Sequence, residues 1–154
     1  MSVPRFKLTP AVYLLLWDDH GDILLMLRQN TGYADGMYGL VAGHLDGDET
    51  ATSAMCREAQ EEAGIVLRPE DLYLRLTMHR LSHDSERIDL FFTTRAWRGQ
   101  IVNAEPHKCA RIGFFPSDPL PDTIIPYIRE AILAIAQGRQ YLEYGWRGDA
   151  PPNL

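Results

Sequence analysis

The chain has 154 residues, 45% of them apolar and 23% charged, with 15 Lys and Arg against 21 Asp and Glu for a formal charge of −6. That is ordinary globular usage, and a chain of this size buries roughly 70% of its unfolded surface without help from disulfides or metals. It excludes a disordered acidic tail, a collagen-like chain and a disulfide scaffold, and it disfavours a DNA or RNA duplex as partner, which wants a basic face.

In chain order, Ala11 to Trp17 is an apolar β-rich run, followed by the turn residues Asp18-Asp19-His20-Gly21-Asp22 and a second apolar run from Ile23 to Leu27. Together they predict a hairpin with a five-residue loop. Residues 29 to 39 form a loop rich in glycine, and Tyr38 to Ala42 a short strand. Thr50 to Ala63 predicts a helix, with Thr50 as N-cap and Gly64 as the left-handed stop. Leu72 to Leu81 alternates apolar and polar residues, which predicts a half-buried strand with Leu72, Leu74, Leu76 and Met78 inward. Ile88 to Trp97 and Cys109 to Phe115 are the next strands. A helix from Pro126 to Gln137 carries the stripe Ile128, Ala131, Ile132 and Ile135. The tail from Tyr141 to Leu154 is expected to dock its aromatic residues and then fray.

No boundary divides the chain, so one domain over residues 1–154 is expected. The cysteines, Cys56 and Cys109, are far apart, as in a reducing compartment. No apolar run is long enough for a signal core or a membrane span. The expectation is a cytoplasmic protein with no membrane partner.

One segment carries chemistry. In Gly43-His44-Leu45-Asp46-Gly47-Asp48-Glu49 and Arg57-Glu58-Ala59-Gln60-Glu61-Glu62-Ala63-Gly64-Ile65 the acids follow a helical spacing. At 100° per residue Glu58, Glu61 and Glu62 share one face, where like charges at i, i+4 repel. Ala51 and Ala54 fall on the same face and leave room beside the carboxylates. Thr52, Cys56, Ala59 and Ala63 are placed toward the core. Clustered carboxylates suit a hard divalent cation such as Mg²⁺, which shares its oxygen ligands among one or two carboxylates, water and substrate phosphate. Arg57 is placed to pair with Glu49.

These residues resemble the Nudix box, Gly-x5-Glu-x7-Arg-Glu-U-x-Glu-Glu-x-Gly-U with U aliphatic. Residues 43 to 65 match every specified position, with Ala59 as a small first U. Seven fixed identities arise by chance at on the order of 10⁻⁸ per position. The resemblance implies an α/β fold, an α/β/α sandwich with a mixed sheet. It implies hydrolysis of a nucleoside diphosphate linked to a group X with Mg²⁺ or Mn²⁺. By position it makes Glu58, Glu61, Glu62 and the Gly43 carbonyl metal ligands, and Arg57 with Glu49 an ion pair bracing loop and helix. A further acid outside the box often completes such sites. Glu105 is the choice here, with Asp84, Glu86 and Asp89 as rivals. Arg28 resembles a phosphate-contacting arginine of MutT-like members. Tyr38, Tyr33 and Phe92 are candidates to stack on a base. The chain departs from many members in having Val41-Ala42 where they have Pro-Gly.

Neither Pro nor Tyr occurs between Leu74 and Glu105, unlike the family's ADP-ribose and dinucleoside-polyphosphate branches. The run Asn103 to Cys109 resembles members acting on nucleoside triphosphates. The expected substrate is therefore a (deoxy)nucleoside triphosphate or oxidised nucleotide, handled by a monomer or homodimer. The alternatives are an ADP-ribose or nucleotide-sugar pyrophosphatase, and a nucleotide-sensing module without turnover. His79 and His83, on a strand and loop, do not make a helical zinc pair.

The charge is local. Residues 43 to 65 hold six acids and one base, leaving fifteen acids and fourteen bases elsewhere. Outside one segment the protein is close to neutral.

Overall fold

A computed structural model describes residues 1–148. Eight strands run in chain order as β1 (Thr9–Leu15), β2 (Ile23–Arg28), β3 (Tyr38–Gly39), β4 (Val41–His44), β5 (Tyr73–Leu81), β6 (Glu86–Thr93), β7 (Cys109–Phe115) and β8 (Tyr141–Tyr144). The helices are α1 (Ala51–Ala63) and α2 (Pro126–Ala136).

The strands form a five-stranded sheet in the order β4-β1-β6-β5-β8 and a three-stranded sheet in the order β3-β2-β7. The larger sheet is mixed: β1 pairs antiparallel with β4 and parallel with β6, and β5 pairs antiparallel with β6 and parallel with β8. Alternation along β1 explains the layering. Ala11, Tyr13 and Leu15 face a core built with Leu76, Met78, Phe91 and the buried stripe of α2. Val12, Leu14 and Leu16 face the opposite way, into a core with Ala54, Met55, Ala59 and Ala63 of α1. A strand covered on both faces reads as one apolar run. The result is the expected α/β/α sandwich.

Several expectations change. The first two strands do not pair as a hairpin but belong to different sheets. Their backbones meet near the turn, where Trp17 bridges Ile23 and Leu24 N–H donates to Leu16 O. Both edges of β1 are already taken by β4 and β6, so no edge remains for β2. Asp18 Oδ1 accepts from the His20 and Asp22 N–H groups and turns the chain away. The strand predicted from Tyr38 to Ala42 divides at Leu40, and its halves join different sheets.

In β5 the register shifts between Leu74 and Leu76, which leaves Leu74 outside. The strand predicted over Ile88 to Trp97 starts at Glu86 and stops at Thr93, where the Thr94 hydroxyl turns the chain through Ala96. The tail does dock, as the strand Tyr141 to Tyr144 beside β5, with Tyr144 buried and Tyr141 half exposed. Beyond it the Trp146 indole donates to His79 O at 3.1 Å and tilts against the His79 ring. The fraying expected at the end of the tail concerns residues 149 to 154, outside the described residues.

Candidate functional site

α1 begins and ends as its sequence dictates. Thr50 Oγ1 accepts from Ser53 N–H, and Gly64 takes a left-handed φ of 69°. A Cβ on Gly64 would also lie 2.7 Å from Val102 Cγ2, so the loop after β6 presses closely on the helix end. Val102 N–H donates to Ala63 O and Ala104 N–H to Glu62 O. Those two bonds deliver the next residue, Glu105, beside the last turn of α1. The Glu105 carbonyl then accepts from Lys108 and Cys109 N–H, and Asn103 Nδ2 closes the loop on Cys109 O at 2.6 Å.

The acids of α1 do not lie on a solvated face opposite a dry one. Ala54, Met55, Ala59 and Ala63 are its buried residues, so the dry arc is turned toward the acids and takes in Glu62. Ala54 therefore packs in the core instead of clearing space before the carboxylates, and Cys56 is only partly buried. The Glu58 side chain is 13% exposed and that of Glu61 53%. Burial pushes the Glu58 carboxyl up, against the pull of Arg57. Burial, aided by the charges of Glu58 and Glu105, pushes Glu62 up to about 8, although Glu62 Oε2 accepts from Ala42 N–H at 3.0 Å. Replacing Pro-Gly by Val41-Ala42 leaves that donor in place.

Arg57 braces the segment. Its Nε and Nη2 donate to Glu49 Oε2 and Oε1 at 3.2 and 2.9 Å, a bidentate pair. Nη2 also reaches His44 O at 3.1 Å, and Nη1 donates to Glu58 Oε1 at 2.7 Å and Glu61 Oε2 at 3.4 Å. The pairing holds the Glu49 carboxyl below its usual range and Arg57 above its own. A Cβ on Gly43 would stand 2.0 Å from the Glu58 carboxyl, so the glycine lets that carboxyl lie against β4.

A cleft of about 1110 Å³ collects Gly43, Arg57, Glu58, Glu61, Glu62 and Glu105 with Arg28 and Tyr33. Arg28 is steadied by its own loop, donating from Nε to Tyr33 O at 2.8 Å and from Nη2 to Thr31 Oγ1 at 3.1 Å. Tyr38 is elsewhere, tilted against Phe115 with ring centroids 4.8 Å apart. Phe92 is buried in the α1 core, so of the three aromatic candidates Tyr33 alone lines the cleft. Among the rival acids, Asp89 is wholly buried, Glu86 meets His79 Nε2 at 2.7 Å, and Asp84 accepts from the Ser82 and Ser85 hydroxyls.

Glu58, Glu61, Glu62 and Glu105 and the Gly43 carbonyl are all hard oxygen donors. The Gly43 cradle and the largely withdrawn Glu62 carboxyl, answered only by the Ala42 N–H, fit a divalent cation. Among the described residues no three acidic, His or Cys side chains already converge as a metal cage. An Mg²⁺ site completed by water and substrate phosphate needs no such cage.

The sequence reading missed a second, basic wall. Arg80 and Arg87 line the cleft there with Tyr13, His44 and Tyr127. Parity in β5 carried the signal: Leu76 and Met78 point inward, and so does Arg80. His44 Nε2 accepts from Arg87 Nη2 at 2.5 Å. Burial and then the Arg87 cation hold the imidazole below its usual pKa.

Residues 7–134 match the NUDIX domain family model, and the chain belongs to that family. It is 28% identical over 138 residues to the NAD-capped RNA hydrolase NudC of Stutzerimonas stutzeri, covering 86% of this chain and 47% of that relative. The chain thus spans about half the length of the curated relative it matches. A MutT NUDIX hydrolase structure from Burkholderia pseudomallei aligns with a TM-score of 0.75 and 25% identity, covering 83% of this chain and 98% of that one. A MutT protein structure from Methanosarcina mazei Go1 aligns with a TM-score of 0.74 and 19% identity, covering 88% and 97%.

Proposed function

We propose that this chain is a metal-dependent nucleotide pyrophosphohydrolase, cleaving a nucleoside diphosphate linked to X by attack of water on phosphorus. The observation that carries this reading is that Glu58, Glu61, Glu62 and Glu105 line one cleft, with Gly43 leaving room for the Glu58 carboxyl. Mg²⁺ or Mn²⁺ bound there supplies neutralisation of phosphate charge and a more acidic water. Glu58, Glu62, Glu105 and the Gly43 carbonyl would hold it, with Glu61 at the more exposed side. Arg57 keeps the β4 loop and α1 in register, so Gly43 O and Glu58 stay on the same wall. Arg28, preset by Tyr33 O and Thr31, is aimed to bind a phosphate oxygen. Glu62, half withdrawn from water and raised in pKa beside Glu58 and Glu105, is a carboxyl whose ionised form a bound cation would favour.

The leading substrates are (deoxy)nucleoside triphosphates or oxidised nucleotides, in keeping with the likeness to MutT proteins. The NudC relative favours a second reading, a dinucleotide such as NAD free or as an RNA cap. A panel of triphosphates, oxidised nucleotides, ADP-ribose, NAD and dinucleoside polyphosphates with Mg²⁺, products resolved by chromatography, tests both. Cleavage within a phosphate anhydride is expected. Tight binding of a nucleotide with Mg²⁺, without cleavage of any compound, would instead make the chain a sensing module.

A further inference from the structure

Arg80 on β5 and Arg87 on β6 are directly opposed across the sheet. Like charges in that relation are destabilising. One carboxylate answers both. Asp89 is fully buried, and its Oδ2 accepts from Arg80 Nε at 2.5 Å. Its Oδ1 stands 3.7 Å from Arg87 Nε, too far for a hydrogen bond. Both of those atoms, Asp89 Oδ1 and Arg87 Nε, are buried without a hydrogen-bond partner.

The other groups nearby do not settle the balance. Arg87 meets the His44 ring and the Ser85 hydroxyl, and Arg80 lies 3.8 Å from the Tyr127 ring centroid and 3.5 Å from the Tyr13 hydroxyl. Asp84 is exposed and bonded to Ser82 and Ser85, while Glu86 is taken by His79. Asp84 lines the same cleft and its charge reaches Arg87, but it makes no ion pair with either guanidinium. Among the described residues the two guanidiniums therefore share one directly paired carboxylate on a wall of the cleft. A buried surplus charge is costly until a counter-charge arrives.

Position says which counter-charge. β4, which carries Gly43, and β6 flank β1, so their backbones lie roughly 10 Å apart, and β5 is one strand further. The anhydride to be cut belongs on the carboxylate wall, where a cation is needed to hold it. The guanidinium wall attracts an anion with no metal at all.

We propose that Arg87 and Arg80, held by Asp89, form a second anion subsite that takes a phosphate group of the substrate other than the two joined by the scissile anhydride. This rests on the nucleotide pyrophosphohydrolase reading and narrows its substrates to those with an additional phosphate. That phosphate is either the terminal group of a triphosphate or a monoester on a sugar.

Matched compounds that differ by one phosphate separate these sources: ATP against ADP, NADP against NAD, and ADP-ribose with and without a ribose phosphate. Dissociation constants are read by calorimetry in EDTA, and kcat/KM with Mg²⁺. The extra phosphate should tighten binding in EDTA about 10- to 100-fold in one class of pair, the range of charge-assisted hydrogen bonds. Arg87→Gln should abolish that preference, and Arg87→Lys should keep part of it. Melting curves confirm folding, and Arg87→Lys serves as the test if Arg87→Gln does not fold. Equal affinity across every pair, or a preference untouched in the folded variants, overturns the subsite. If the preference holds in EDTA but nothing is hydrolysed, the subsite stands and the hydrolase reading falls. If turnover is found without any preference, only the subsite falls.

Discussion

The two walls of the cleft bury charge in opposite ways. On the α1 side carboxylates crowd together around Gly43, and Arg57 satisfies Glu58 and Glu49 while Glu62 has only a backbone N–H. On the β5–β6 side guanidiniums crowd together, and a single buried aspartate lies between them. The acidic wall fits a cation, and on the proposal above the basic wall takes an anion. The same operation, neutralising one buried acid, should therefore have opposite consequences at the two places.

Asp89→Asn should give the largest loss of stability, about 3–5 kcal/mol, because it leaves the buried Arg80 and its half-buried neighbour Arg87 without their carboxylate. Denaturant melts measure it, and an unchanged midpoint would break the comparison. Glu62→Gln should leave the metal-free melting temperature level or higher, since it removes a charge that burial disfavours.

Gly43→Ala is the next probe. Its Cβ would collide with the Glu58 carboxyl at 2.0 Å, and that carboxyl must move. Displacement of about an ångström at a reacting centre costs on the order of 10²-fold in rate. Steady-state kinetics should show that loss, with a weaker Mg²⁺-dependent rise in melting temperature.

The pH response sharpens the contrast further. The Glu62 pKa is raised from 4.5 in the unfolded chain to about 8 in the folded one. Below 4.5 both states hold the proton, so the full stability is present. Between 4.5 and about 8 the unfolded chain releases it first, so the metal-free protein should lose stability as pH rises through that window. Thermal melts in EDTA should show this slope, and Glu62→Gln should flatten it. The smallest effect is expected at Arg57→Lys, which keeps the charge but loses the two-pronged contact with Glu49. In this partly exposed pair a fall of about 2–4 °C in melting temperature is expected.

What the sequence disclosed follows the range of the forces involved. α1, its Thr50 cap and its Gly64 stop were legible because caps and periodicity act within a few residues. So were β7 from Cys109 to Phe115 and the stripe of α2. The pairing of β1 with β4 and β6 was not, because a turn at Asp18 looks the same whether it closes a hairpin or sends the chain to another sheet. β8 was hidden as a short edge strand in an aromatic tail. At the site, the spacing from Gly43 to Gly64 disclosed the acidic wall. The basic wall escaped because Arg80 and Arg87 have no role in the sequence reading and Asp89 enters it only as a rival acid for completing a metal site. Only the pairing of β5 with β6 reveals that one aspartate serves two arginines.

The most direct test compares the wild type with Glu62→Gln on the substrate cleaved best, each with Mg²⁺ and with EDTA. The account predicts that EDTA abolishes wild-type turnover. It also predicts that Glu62→Gln, fully folded, loses on the order of 10²–10⁴-fold in kcat, the span of a positioned acid or base. Full turnover by Glu62→Gln, or wild-type turnover that persists in EDTA, would contradict it.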